Sequence, residues 1–227
     1  MAMAVMTASS LAAVAQGGTP AAHDISGFWE LPLDGRRISP AHLASGVTPA
    51  KIRAEAEKSA KAVRWCNWVG MPTMMDVGRP LDIRQGTREI VMLAESPVTP
   101  ARHLYLTRAA HVDKETFDPN TNGDSIAHWE GDTLIVDTIG FEPTHGITTI
   151  PGGGFRTASS RLTERYRLLN GGALLSVTFT WTDPAVFATP HSYEFRYQRV
   201  EAGYDARPYQ RCDPFDSERA AFLETAR

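Results

Sequence analysis

The sequence predicts a single, mostly antiparallel β-barrel. From Pro80 onward the chain consists of short runs of β-branched and aromatic residues bounded by Gly, Pro, Asn or Asp, as strands are. Tight turns such as Glu130-Gly131-Asp132 join neighbouring runs, which is typical of hairpins. Helices do not alternate with these runs, so a parallel sheet is disfavoured. A closed barrel removes the exposed edges that roughly nine short strands would otherwise present.

Length and composition favour one globular domain, which we expect to span residues 24–227. The chain has 227 residues, of which 42% are hydrophobic and 22% charged, and this length is sufficient for a large core. The formal net charge of −3 and the lack of a basic patch argue against binding to nucleic acid or to an anionic membrane. The oligomeric state is left open by the sequence.

Residues 1–18 have the composition of an export leader. They are small and apolar and end in Ala13-Val14-Ala15, an A-x-A cleavage pattern before Gln16. No Lys or Arg precedes Arg36, so the positively charged start of a signal peptide is missing. We interpret the segment as a truncated signal peptide and predict a periplasmic or secreted protein. The alternative is a disordered Ala-rich leader on a cytosolic protein. The segment is too short for a transmembrane helix.

The two cysteines, Cys66 and Cys212, lie far apart in the sequence. In an exported protein, two cysteines most simply form one disulfide. Two buried free thiols are the alternative, and both remain open. The metal-binding C-x-x-C spacing is absent.

The predicted elements begin with a strand at Gly27-Phe28-Trp29. This G-x-W pattern resembles the first strand of lipocalins, whose Trp closes one end of the barrel, and we therefore predict a lipocalin-like barrel. Ser39-Pro40 and Thr48-Pro49 both have the pattern of a helix start, with an N-cap hydroxyl before Pro. The second predicts a helix that reaches roughly Trp65 and lies across the barrel.

Eight further strands follow the helical segment. They are predicted over residues 80–86, 88–96, 102–108, 124–130, 133–141, 160–169, 173–181 and 192–200. Two long loops, 109–123 and 142–157, interrupt them, and loops of this length in a compact domain are commonly functional or mobile. Gly152-Gly153-Gly154 is either a lid hinge or a slack connection. Residues 216–227 predict a short amphipathic C-terminal helix.

Residues able to do chemistry can be assigned to strand faces, because alternate residues of a strand point to opposite sides. His103 and Tyr105 share one face of their strand, and Asp124 and His128 share one face of another. Asp137 lies in a strand that is apolar on both sides, so its carboxylate must be hydrogen-bonded or have a raised pKa. A structural role is favoured for it.

The polar residues of the last strands allow two interpretations. Glu164, Tyr193 and Tyr197 belong either to an ordinary outer face with cross-strand ion pairs or to the wall of a pocket. The chain lacks the G-x-S-x-G, H-E-x-x-H, P-loop and dinucleotide-binding patterns. A metal site would have to be assembled from several strands and loops. We therefore expect cofactor-free acid–base chemistry, with no metal and no cofactor.

The segment 124–141, DSIAHWEGDTLIVDTIGF, is the most specific motif in the chain. It resembles a largely uncharacterised family of exported bacterial proteins marked by a W-E-G-D-T-L-x-V-D-T segment. Further matches are Gly70-Met71-Pro72, 80–83, 162–165 and 181–184. The resemblance spans roughly Gly27 to Arg199 and implies export and a β-rich fold. It carries over Trp129, Glu130, Asp132, Asp137, Glu164 and Arg165, and it departs from the family at Asp124, Ala127-His128 and Arg156-Thr157-Ala158.

Two functional hypotheses follow. The first is an exported lyase, isomerase or hydrolase that acts on a hydrophobic, aromatic or terpenoid-like molecule enclosed by the barrel. His128 or His103 would transfer the proton, and Glu164 or Asp124 would orient that histidine. The candidate substrate-binding residues are Arg165, Tyr193, Tyr197, Tyr105 and Trp129. The second hypothesis is a non-catalytic, lipocalin-like binder or carrier of a hydrophobic ligand, with an apolar lumen.

Overall fold

The computed structural model describes residues 23–63, 69–76, 78, 80–94, 99–113, 115–143 and 148–200. The predicted leader, both cysteines and the predicted C-terminal helix lie outside these residues. The predictions made for them therefore stay predictions.

Nine of the ten strands in the described residues form a closed barrel, as the sequence predicted. The strands are β1 (Gly27–Glu30), β2 (Arg36–Arg37), β3 (Leu81–Gln85), β4 (Glu89–Ala94), β5 (Arg102–Tyr105), β6 (Asp124–Glu130), β7 (Thr133–Ile139), β8 (Arg161–Leu169), β9 (Leu174–Thr182) and β10 (His191–Arg199). Pairing runs from β1 through β3 and then in chain order to β10, which pairs back onto β1 and closes the ring. Among the described residues, the short strand β2 pairs only with β10. The closed ring leaves none of the nine long strands as a free edge.

One strand pair departs from the predicted antiparallel arrangement. Strands β5 and β6 run parallel and share two residue pairs, Leu104 with Ser125 and Tyr105 with Ile126. Parallel neighbours need a long connection to bring the chain back to the same end of the sheet. Residues 106–123 supply it: 109–123 were predicted as a loop, whereas 106–108 were predicted as the end of the strand, which stops at Tyr105. The parallel junction is short, since it contains only these two residue pairs.

The G-x-W strand packs one end of the barrel. Trp29 is fully buried, its Nε1 donates to the Ile25 carbonyl at 3.0 Å, and the Arg199 guanidinium carbon lies 4.1 Å from the centre of its ring. Arg199 Nη1 donates to the Ser26 carbonyl at 2.8 Å. Gly27 has φ of 146°, and a Cβ there would come within 2.3 Å of Arg199 Nη1. Only glycine leaves room for the arginine over the tryptophan.

The interior of the barrel is filled by side chains. The inward-facing residues of six strands are at most 3% exposed: Met92, Leu104, Leu134, Val136, Leu162, Glu164, Tyr166, Val177, Phe179, Tyr193, Phe195 and Tyr197. A side chain next to a water-sized void would retain accessible surface, so these residues border no such space. The expected ligand cavity in the lumen is therefore absent along these strands, which changes where a ligand can bind.

One α-helix, α1 (Pro49–Val63), occurs in the part of the chain that the structure describes. It begins where Thr48-Pro49 predicted, and the Lys51 amide donates to Thr48 Oγ1 at 3.2 Å. Ser39-Pro40 starts no helix, contrary to prediction. The amide of Ala41 donates instead to the Gly152 carbonyl at 2.9 Å, so this segment is held by neighbouring chain. No helix in the described ranges is long and apolar enough to cross a membrane.

Candidate functional site on the outer wall

A cleft of about 620 Å³ opens on the outside of the barrel at the short β5–β6 junction. Its walls come from strand β5 and the two residues before it, the connection 106–123, the first residue of β6 and Glu142, three residues after β7. The lining residues are Pro100, Ala101, His103, Tyr105, Arg108, Val112, Phe117, Asn120, Thr121, Asn122, Gly123, Asp124 and Glu142. The volume lies within the range of small-molecule sites, and the lining combines apolar side chains with a few polar groups, as such sites do.

His103 carries a carboxylate partner at the rim of this cleft. It points outward from β5, because its neighbours Arg102 and Leu104 face the core. Its Nδ1 lies 2.9 Å from Glu89 Oε2, and both side chains are about two-fifths exposed. Its ring also stacks against Tyr105, with the centroids 6.2 Å apart. Nε2 of His103 has no hydrogen-bond partner among the residues described, so it is the ring nitrogen available to a ligand.

Arg108 lies beside Tyr105 at the same rim. Its guanidinium carbon is 3.4 Å from the centre of the Tyr105 ring, a close cation–π contact. Its Nη1 donates to Asp124 Oδ1 at 2.9 Å. The arginine is thereby held between an aromatic face and a carboxylate.

His111 fastens the connection 106–123 to the outer wall. Its Nδ1 lies 2.9 Å from Asp124 Oδ2 and its Nε2 lies 2.9 Å from Asp137 Oδ2. Each ring nitrogen is thus within hydrogen-bonding distance of a carboxylate oxygen. The Val112 amide donates to the same Asp124 oxygen at 3.1 Å. His111 therefore has no ring nitrogen left for a substrate, and its contacts are those of a clamp.

The second carboxylate of this clamp, Asp137, is also bound by Arg161. Arg161 Nε and Nη2 donate to its two oxygens at 2.6 and 2.7 Å. Burial raises the pKa of Asp137, but the hydrogen bonds from Arg161 and His111 outweigh this, so its pKa lies below the ordinary value. The structural role favoured for Asp137 has a geometric basis here.

Arg156 lies beneath the cleft. It is buried, and its Nη1 donates to the Thr121 carbonyl at 2.6 Å, which supports the cleft wall from inside. Burial lowers the pKa of Arg156 to about 10, and the charge of Glu142 opposes that decrease. The Glu142 carboxylate on the cleft wall thus has a cation close by.

Glu164 lies inside the barrel in an ion pair with Arg102, away from the cleft. Arg102 Nη1 donates to Glu164 Oε1 at 2.9 Å, Nη2 donates to Oε2, and the Tyr166 hydroxyl donates to Oε1 at 2.7 Å. The two charged side chains are 1% and 0% exposed. Burial lowers the pKa of Arg102, but the charge and hydrogen bonds of Glu164 outweigh this and raise it. The pair is closed to solvent.

The structure brings three of the predicted site residues together at the cleft, namely His103, Tyr105 and Asp124. His128 and Arg165 lie on the exposed face, where they contact Glu130 at 3.2 and 3.8 Å. The expected orientation of a histidine by Glu164 is not formed. His103 is bound by Glu89 instead, because Glu164 faces the opposite side of the barrel wall.

The predicted tyrosine and tryptophan sites have other surroundings. Tyr193 and Tyr197 are core residues, and burial raises the pKa of each. The Tyr197 hydroxyl donates to the Met75 carbonyl at 2.7 Å. Trp129 is half-buried, with its ring 5.1 Å from that of His23. None of the three lines the cleft, and the packed lumen gives a ligand no route to the two tyrosines.

Glu89, Arg108 and His111 complete the site but were not among the residues predicted for it. Their partners are 14, 16, 13 and 26 residues away in the sequence, so no local spacing marks them. The one available signal was the length of the loop 109–123. No group of His, Cys, Asp or Glu within the described ranges is arranged to hold a metal ion.

The chain matches no model of a known protein family and no curated protein. Among solved structures it is similar to a mutant of the fluorescent protein UnaG, over 77% of this chain and 95% of that chain. The sequences are 13% identical and the TM-score is 0.34. This similarity is too low to support a fold assignment, so the barrel fold is assigned from the strand pairing of the protein itself.

Proposed function

We propose that the protein binds a small, partly apolar molecule in the outer-wall cleft and that His103 transfers a proton there. The observation that carries the proposal is the His103–Glu89 pair, 2.9 Å apart, at the rim of a ligand-sized cleft. Aromatic and terpenoid-like molecules fit the apolar part of the lining, which consists of Pro100, Ala101, Val112 and Phe117.

The pairing gives His103 a defined chemical role. A carboxylate on Nδ1 selects the tautomer whose proton is on that nitrogen, so the lone pair of Nε2 is available as a base. After accepting a proton from the ligand, the ring becomes an imidazolium that the Glu89 charge stabilises. The same group can return the proton at another atom. This chemistry suits a lyase, isomerase or hydrolase and needs no cofactor.

Binding at the cleft is tested with a thermal-shift screen of small molecules on the wild type and two variants. Ala101→Trp fills the cleft. Ala158→Trp is the control: it enlarges an exposed side chain in a neighbouring cleft, which shares Val112 and Phe117 with the first but does not include Ala101. Compounds that stabilise the wild type should lose their effect in the first variant and keep it in the second. Compounds that still stabilise the Ala101→Trp variant would show that the binding site lies elsewhere.

Catalysis is tested on the hits by following their conversion. His103→Gln should lower the rate about 10²–10⁴-fold, the usual contribution of a positioned acid–base group, with binding retained. His128→Gln is the matched control, since His128 is also an exposed histidine beside a carboxylate. A rate that falls in the control and not in His103→Gln would refute the assignment.

A non-catalytic binder or carrier is the second candidate function. It needs only the cleft, whose lining includes the apolar side chains named above. Retention of hits by both histidine variants, with no conversion of any hit by the wild type, would support it.

We also propose that the protein is exported and belongs to the family with the W-E-G-D-T-L-x-V-D-T segment. Support comes from the Ala13-Val14-Ala15 pattern and from residues 124–141. Expression with the leader, followed by fractionation and intact mass measurement, tests the export. A product shortened after Ala15 and two hydrogens light would establish both cleavage and a Cys66–Cys212 disulfide. A full-length product in the cytosol would contradict export.

A further inference from the structure

Arg108 is the cation at the cleft that retains free hydrogen-bond donors. A guanidinium carries five N–H groups, and the described part of the chain engages only Nη1, through Asp124. The side chain is 27% exposed and lines the cleft, so a ligand can reach it. Its close contact with Tyr105 holds it in place before any ligand arrives.

The carboxylates around the cleft already have polar or charged groups of the protein beside them. Asp124 receives Arg108 on one oxygen and both His111 and the Val112 amide on the other. Glu89 is bound by His103, and the charge of Glu142 acts on Arg156 beneath the wall. An anionic group that enters the cleft therefore meets Asp124 and Glu89 with partners already on their oxygens, and Glu142 with the charge of Arg156 close by.

These observations identify the chemical class of the ligand. We infer that the cleft takes a small organic carboxylate, whose anionic group binds the free donors of Arg108 while its apolar body lies against Ala101, Val112 and Phe117. Two N–H groups of one guanidinium match the two oxygens of a carboxylate. The inference rests on the proposed function, since it concerns the same cleft. A ligand bound in this way shares the cleft with His103.

The test uses two fluorescent probes of nearly equal shape, 2-naphthoate and the neutral 2-naphthamide, titrated into the full chain. The wild type should bind the carboxylate more tightly than the amide. Arg108→Gln should weaken naphthoate binding about tenfold or more, because a charge-assisted pair of hydrogen bonds is lost, and should leave the amide unchanged. Arg108→Lys keeps the charge but loses the forked donor pair, so its affinity should fall between the two.

Arg88→Gln is the matched control. Arg88 is an exposed arginine that lines the adjoining depression with Arg108 but does not line the cleft. Equal weakening by both substitutions would show general charge attraction and overturn the inference. Melting temperatures of the variants check that each is folded, and Arg108→Lys carries the test if Arg108→Gln unfolds.

The remaining outcomes separate the inference from the proposed function. Equal binding of naphthoate and naphthamide by the wild type, unaffected by Arg108→Gln, would overturn the carboxylate specificity and leave the cleft as a binding site. Failure of the wild type to bind either probe would overturn both.

Discussion

Replacing Glu164 by Gln should destabilise the barrel by about 3–5 kcal/mol, the usual cost of breaking a buried ion pair from one side. The structure explains why replacing one partner of this pair should cost so much stability. Arg102 and Glu164 are 1% and 0% exposed, so water cannot replace the lost partner. Gln removes the countercharge, and in either orientation of the amide its NH₂ group faces an N–H donor of Arg102.

This loss is large relative to the total stability of a domain, about 5–15 kcal/mol. For a domain of this size it corresponds to a decrease in melting temperature of roughly 6–20 °C. Guanidinium chloride titration followed by circular dichroism measures the free energy, and tryptophan fluorescence checks that unfolding is two-state. Asp132→Asn is the control, because it breaks the exposed Asp132–Arg167 pair and should leave the midpoint unchanged.

The double replacement Arg102→Met with Glu164→Leu separates the charge from the volume. Removing both charges should recover much of the lost stability, less the cost of the buried Tyr166 hydroxyl, which loses its Glu164 acceptor. The hydroxyls of Ser125 and Thr138, which face Arg102, lie 2.9 Å apart and can bond each other. A cost below about 1 kcal/mol for Glu164→Gln alone, or a double variant no more stable than the single ones, would refute the argument.

Three further predictions concern the wall and the connection. Because the folded pKa of Asp137 is lowered, its contribution to stability is present at neutral pH and is lost as the pH falls below the ordinary value of 3.8. Asp137→Asn should therefore reduce the difference in denaturation midpoint between pH 7 and pH 3, and an unchanged difference would contradict the role given to Arg161 and His111. Gly27→Ala should cost about 1–3 kcal/mol in urea denaturation, since its Cβ displaces Arg199 from Trp29. Gly153 also has a positive φ, but a Cβ there meets open space, so Gly153→Ala should cost less free energy. Equal costs for the two substitutions would show that displacement of Arg199 does not contribute. His111→Gln should speed amide exchange within 106–123 about tenfold or more while the barrel midpoint changes little. Equal amide exchange rates within 106–123 in the wild type and the variant would show that His111 does not hold the connection.

Much of the barrel follows from local sequence. Strand β6 has the bounds that its pattern predicted, 124–130, because turn residues lie on both sides and its alternation is short range. Helix α1 begins at Pro49 for the same kind of reason, since Thr48 is its N-cap. Ser39-Pro40 has the same local pattern and fails, because its neighbours bond to distant chain.

The site depended on information that no short segment contains. The alternation of β8 already placed Glu164 with Leu162 and Tyr166 on one face, but the identity of that face was open. Arg102 lies 62 residues away and decides it, because a carboxylate with a bidentate arginine partner can be buried.

The sequence by itself therefore determined most of the strands, the start of helix α1 and the closed barrel class, all of which depend on neighbours within a few residues. Only the tertiary structure decided that the lumen is packed, that β5 and β6 run parallel, and that the candidate site lies on the outer wall. Strand faces, pairing direction and charge partners are set by contacts between distant segments. Their energies exist only once the ring has closed and excluded water.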